Sequence, residues 1–174
     1  PIAHRETFWP YRVQREQHAD TVRDAFAGLG EICLYSHIPF CETRCYFCEY
    51  TVVGKKELDS TAEYMAALNR ETALYAELLG KRTISGFDIG GGTPSFVAAD
   101  LIAEHIDTVH RHFETTEDFE ISIENTPKIA SLEPGKMRAD KEMGIDRISM
   151  GVQVAQPDVL QTLGRETSGV GHHL

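Results

Sequence analysis

An α/β fold built on a parallel sheet is predicted by three features of this chain. Short apolar runs alternate with longer stretches of helical period. Glycines mark the seams between them, and the polar or glycine-rich stretches fall just after the apolar runs. Repeated strand–helix alternation gives parallel strands with right-handed crossovers, in either a doubly wound sheet or a barrel. In both, sites form at the carboxyl ends of the strands.

Taken in order, residues 1–30 read as an N-terminal extension carrying Phe8, Trp9 and Tyr11 and a helical stretch ending near Gly28. ICLYSHI (32–38) is the first strand, followed by a cysteine-bearing loop closed by Gly54. Residues 59–80 read as a helix: Ser60 and Glu63 have capping-box spacing, Met65, Leu68, Thr72, Tyr75 and Leu79 share a face, and Gly80 stops it. TISGFDIG (83–90) is a second strand, continued by GGTPS, and 98–113 a second helix. In the third strand, 118–125, Phe119, Ile121 and Ile123 alternate with polar residues until Pro127 breaks the run. A short third helix over 134–144, a fourth strand over 145–152 and a fourth helix from 156 complete the series.

Bulk properties narrow the function. The chain has 174 residues, 41% of them hydrophobic and 25% charged, enough for one domain with a real core. A net charge of −10 with no Lys/Arg run argues against a nucleic-acid partner. No apolar stretch reaches membrane-spanning length and no secretory segment is present, so a soluble cytoplasmic protein without a membrane partner is expected.

Three of the four cysteines, Cys41, Cys45 and Cys48, crowd one loop in C-x3-C-x2-C spacing. A structural zinc site wants four closed ligands; His37 is an available fourth, but it lies at a strand end. A thioredoxin-type pair leaves Cys41 unexplained. Three thiolates on a short loop suit a [4Fe-4S] cluster with one iron left open for a ligand. Cys33 stands apart and reads as a buried small hydrophobe on the first strand.

The cysteine spacing resembles the signature of the radical S-adenosylmethionine (SAM) superfamily. The blocks YSHIPFCETRCYFC, GGGTPS, ENTP, RISMGVQ and LGR, from Tyr35 to Arg165, occur in the order seen in the oxygen-independent coproporphyrinogen III oxidase family. The resemblance implies a partial TIM-type (βα)6 barrel over residues 31–174, with only about four βα units present and with the C-terminal, substrate-binding part missing. It implies that the open iron binds the amino and carboxylate groups of SAM. An electron from the cluster then cleaves SAM to a 5'-deoxyadenosyl radical, which takes hydrogen from substrate. An electron donor such as flavodoxin or ferredoxin and a small-molecule or tetrapyrrole substrate follow from the same likeness.

Roles carry over by position. Cys41, Cys45 and Cys48 would ligate the cluster, and Phe47 would neighbour the adenine. Gly90, Gly91 and Gly92 resemble the motif whose backbone meets the methionyl amino group, where a side chain would block approach, and Thr93 bonds within it. Tyr35, Glu124, Gln153 and Arg165 match polar positions around SAM. Arg165 suits the methionyl carboxylate and Glu124 or Gln153 the ammonium or ribose. Tyr35 and Glu124 are also the catalytic candidates. His37 reads as structural, and His105, His110, His112, His172 and His173 as exposed.

Two departures from the family stand out. Tyr50 occupies the position where the coproporphyrinogen oxidases carry a further cysteine, and Thr167 the place of a histidine after LGR. The first argues against the decarboxylating oxidase and the second against the related haem chaperones. Both are compatible with the methyltransferase and cyclopropanase relatives. These resemble the oxidase in binding two SAM molecules, and they transfer a methyl or methylene group from the second to an sp2 carbon.

Overall fold

The structure, a computed structural model, describes residues 17–165. The aromatics Phe8, Trp9 and Tyr11, Thr167, His172 and His173 lie outside the described residues. Helix α1 (His18–Phe26) precedes strand β1 (Glu31–Ile38). A 3-10 turn (Lys55–Ser60) leads into α2 (Thr61–Leu79), followed by β2 (Thr83–Gly91), a second 3-10 turn (Pro94–Phe96), α3 (Ala99–His112) and β3 (Glu114–Asn125). Then come α4 (Pro127–Leu132), α5 (Pro134–Glu142), β4 (Arg147–Met150) and α6 (Pro157–Thr162). No helix among the described residues is long and apolar enough to cross a membrane.

All four strands are parallel and pair in sequence order, β1-β2-β3-β4. Sequential order is that of a barrel wall, since a doubly wound sheet reverses direction at a switch point. The helices cover one face only. There Ile38, Ile84, Phe87, Ile89, Ile121 and Ile123 from the strands pack with Met65 and Ala76 of α2 and Ile102, Ile106 and Val109 of α3.

The other face is polar throughout the paired registers. One row across the sheet is Cys33, Gly86 and Glu120, the next Tyr35, Asp88, Ser122 and Arg147, and the last carries His37, Gly90, Glu124 and Ser149. Barrel interiors are ordinarily filled by branched apolar layers. Here Asp88 instead accepts hydrogen bonds from Ser122 and from Arg147, the latter at 3.2 Å.

Four expectations need correction. The segment between β3 and β4 holds two helices, because Thr126 caps α4 by accepting from the Ile129 amide at 3.3 Å, with Pro127 at its first position. The capping box at α2 is not formed: Ser60 turns back to donate to the Glu57 carbonyl at 2.6 Å. Cys33 is exposed on the polar face, 3.5 Å from the Ser85 hydroxyl, because β1 alternates and its core-facing residues are Ile32, Ser36 and Ile38.

The fourth is His105, which is fully buried. With Ile102, Ile106 and Val109 it completes the i, i+3, i+4, i+7 stripe of α3. Its Nδ1 lies 2.7 Å from Asn69 Oδ1 and its Nε2 2.8 Å from Ser36 Oγ. The amide oxygen accepts, so Nδ1 carries the proton and Nε2 accepts from Ser36. Burial lowers its pKa to about 4, which keeps the ring neutral. His110 and His112 are exposed as expected.

Candidate functional site

The segments after β1, β2, β3 and β4 converge on one cavity of about 450 Å³ at the carboxyl end of the sheet. That size is typical of small-molecule sites. Of the residues singled out from the sequence, Cys41, Cys45, Cys48, Phe47, Gly91, Gly92, Thr93, Glu124, Gln153 and Arg165 line it. Tyr35 and Gly90 do not; they sit below it on the polar face of the sheet.

The cysteine loop is held by backbone. Phe40 pairs with Val53, the Cys41 amide donates to the Val53 carbonyl at 3.0 Å, and the Val53 amide to the Pro39 carbonyl at 2.8 Å. Further along, the Tyr46 amide donates to the Leu163 carbonyl at 2.9 Å, tying the loop to the end of α6. All three thiols are free and partly buried. Cys41 Sγ lies 3.4 Å from Thr93 Oγ1. Burial pushes the Cys41 thiol above its ordinary range; the Thr93 hydrogen bond opposes this, and the Cys48 and Cys45 thiols reinforce it.

Among the described residues, no three His, Cys, Asp or Glu side chains gather around a point that one ion would fill. A single zinc ion needs its thiolates within about 2.3 Å of one centre. A cubane is held at separate irons, so three thiols rimming a common cavity fit a cluster better than a lone ion.

The glycines make the opposite wall. A Cβ on Gly92 would lie 2.6 Å from the Phe40 carbonyl oxygen, and one on Gly91, at φ +119°, 2.7 Å from the His37 ring. A side chain at Gly92 would be driven into the backbone that leads to Cys41, and one at Gly91 into the His37 ring. The Gly91 amide donates to Glu124 Oε2 at 3.0 Å, which fixes that carboxylate at the cavity floor. Gly90 lies beneath both Tyr35 and Glu124.

Tyr35 and His37 form a pair. His37 Nε2 faces the Thr51 carbonyl at 3.4 Å; a carbonyl only accepts, so Nε2 carries the proton. Nδ1 then accepts from the Tyr35 hydroxyl at 3.0 Å. The Tyr50 ring lies 6.3 Å from the His37 ring, beside the cavity.

Arg165 is engaged by protein: Nη2 donates to the Gly151 carbonyl at 2.6 Å and Nη1 points to Cys45 Sγ at 3.7 Å. Gln153 takes positive φ, 64°, which turns its backbone at the rim. Phe47 is about half exposed on the loop. Two residues not singled out from the sequence also line the cavity: Glu42 and Lys128, joined by an ion pair of 2.5 Å. Their positions, next to Cys41 and at the start of the helix after ENTP, were the available signal.

The model of the radical SAM superfamily matches residues 35–169. The chain is 34% identical over 134 residues to the heme chaperone HemW of Mycobacterium tuberculosis, covering 76% of this chain and 34% of that protein. It is 35% identical over 161 residues to the oxygen-independent coproporphyrinogen III oxidase of Cereibacter sphaeroides, covering 90% of this chain and 34% of the oxidase. The solved structure of the coproporphyrinogen III oxidase HemN from Escherichia coli superposes with a TM-score of 0.76 at 30% identity, covering 88% of this chain and 35% of that one. The chain thus spans about a third of the length of these relatives. Sequence and fold agree: the chain belongs to the radical SAM superfamily, among its coproporphyrinogen oxidase-like members.

Proposed function

We propose that this chain carries the SAM-cleaving half of a radical SAM enzyme, with Cys41, Cys45 and Cys48 holding a [4Fe-4S] cluster whose fourth iron is open to SAM. The observation that supports this most directly is the shared cavity, where three thiols face Gly91, Gly92, Thr93 and Glu124. When bound, the reduced cluster supplies the electron that cleaves SAM to a 5'-deoxyadenosyl radical.

The chain's own residues bind and orient. The bare backbone of Gly91 and Gly92 admits the methionyl amino group, and Glu124, held by the Gly91 amide, accepts from it. Arg165 serves the methionyl carboxylate, for which its guanidinium must turn from Gly151. Gln153 takes a ribose hydroxyl and Phe47 borders the adenine. Tyr35 and His37, a hydrogen-bonded pair on the polar face, border the reaction chamber below. A flavodoxin- or ferredoxin-type donor supplies the electron.

The test is anaerobic reconstitution of the full-length protein followed by dithionite and SAM. 5'-Deoxyadenosine is expected, and should vanish in Cys41→Ala, Cys45→Ala or Cys48→Ala. An intact cluster that yields none sinks the proposal.

For the reaction that follows, Tyr50 and Thr167 favour transfer of a methyl or methylene group from a second SAM to an sp2 carbon of a natural product or tetrapyrrole. The relatives named above are oxidases and a haem chaperone, so this reading rests on those two positions. Methyl-labelled SAM should deliver label to product. Carbon dioxide release from coproporphyrinogen III without label transfer selects the oxidase reading instead. Stoichiometric haem binding with a Soret band and no SAM cleavage selects the chaperone.

A further inference from the structure

Lys128 and Glu42 link two separate parts of the site. Glu42 follows Cys41 directly, and Lys128 is the second residue of α4, beyond the end of β3. Their side chains meet at 2.5 Å and are 22% and 23% exposed respectively. The lysine rises from a fixed base. Asn125, itself buried, accepts from Ser95 Oγ at 2.8 Å and from the Thr126 amide at 2.7 Å, while Thr126 caps the helix and Ile129 is buried beneath it. A run of bonds therefore joins the turn after the glycines, the end of β3 and the first cysteine.

Charge makes the link more than a brace. A cluster on three thiolates is anionic, and reduction adds a further negative charge. Consecutive Cα atoms are about 3.8 Å apart, so the Glu42 carboxylate belongs to the immediate surroundings of the Cys41 ligand position. In a mostly desolvated setting its field is weakly screened. Lys128 offsets that charge. On the far side of the loop Arg165 stands near Cys45, and within the loop Arg44 donates to the Cys48 carbonyl at 3.4 Å, whereas Lys128 is the cation paired with Glu42.

We propose that Lys128 is a positioning and potential-setting residue, which holds Glu42 and neutralises it so that the cluster bound at Cys41, Cys45 and Cys48 remains reducible. This rests on the cluster reading above. The pair acts through its field on the cluster's reduction.

The experiment is a redox titration, followed by EPR of the reduced cluster, of the anaerobically reconstituted full-length protein and its Glu42→Gln, Lys128→Met and double variants. Glu42→Gln keeps the nearby cation and should raise the midpoint potential. Lys128→Met keeps the carboxylate and should lower it, and the double variant should return toward the parent value. Shifts of one sign in both single variants, or none, overturn the proposal while leaving the cluster reading intact. A parent protein with no reducible cluster overturns both.

A second measurement covers variants that fail to load. In urea unfolding of the cluster-free protein, each single variant should lower the midpoint and the double variant should recover part of the loss. Strictly additive losses would mean the two charges do not sense each other, and would overturn the pairing.

Discussion

Gly92→Ala is the most informative single change at the site. An added Cβ would stand 2.6 Å from the Phe40 carbonyl oxygen and 2.8 Å from both the carbon and the oxygen of the Pro39 carbonyl. Backbone cannot step aside as a flexible side chain does, so a gap of about 0.8 Å must open to restore ordinary contact. Two hydrogen bonds span that gap: the Gly92 amide to the Ile38 carbonyl at 2.8 Å and the Thr93 amide to the Phe40 carbonyl at 2.7 Å. Stretched that far, neither keeps bonding geometry. Losing each costs about 1 kcal/mol net, and overpacking adds about 1–3 kcal/mol, so the expected loss is about 3–5 kcal/mol. For a chain of this size that corresponds to a fall in Tm of about 10 °C. Because Phe40 precedes Cys41, iron uptake on reconstitution should fall too. Thermal or urea unfolding reads the first effect and iron content the second. Gly135→Ala is the control: an added Cβ there has nothing within 4 Å and lies in a helix, so it should stabilise by about 0.5–1 kcal/mol. A Gly92→Ala protein within 0.5 kcal/mol of the parent, with full iron, would refute the reasoning.

Three further outcomes are expected. His105 has its folded pKa depressed to about 4 from 6.5, so its neutral-form stability is complete above pH 6.5 and is lost as pH falls toward 4, by about 3 kcal/mol in all; His105→Gln should flatten that limb of a stability-against-pH curve. Thr126→Ala removes the cap on α4 and should lower the urea midpoint by the equivalent of about 1 kcal/mol, with Thr126→Ser restoring most of it. Phe87→Ala, in the core against the His105 ring, should cost about 3–5 kcal/mol in urea unfolding, whereas Leu74→Ala, on the exposed face of α2, should change stability by less than about 0.5 kcal/mol.

Much of this was legible in the sequence because it rests on period. The alternation at Phe119, Ile121 and Ile123 and the helical stripe through Met65 and Leu68 are burial patterns, and burial drives both elements. Sequential strand order was not, since the same alternation also serves a doubly wound sheet. His105 was misread because residue type outweighed position: a histidine looks exposed until Ser36 and Asn69, 69 and 36 residues away, are brought to its two nitrogens. The capping box failed for a related reason, as the Ser60 hydroxyl had a nearer carbonyl in the preceding 3-10 turn. Glu42 and Lys128 escaped notice because a charge pair across 86 residues leaves no local trace.

The polar face of the sheet separates two demands that usually compete within one protein. Phe87 and Asp88 are adjacent, yet they answer to different constraints: the first fills volume in the core, the second holds Ser122 and Arg147 on the open side. A change at Asp88 or Arg147, both more than half exposed, rearranges charge without opening a hole, while a change at Phe87 does open one. Heredity can therefore edit the chamber wall position by position while the scaffold stays intact.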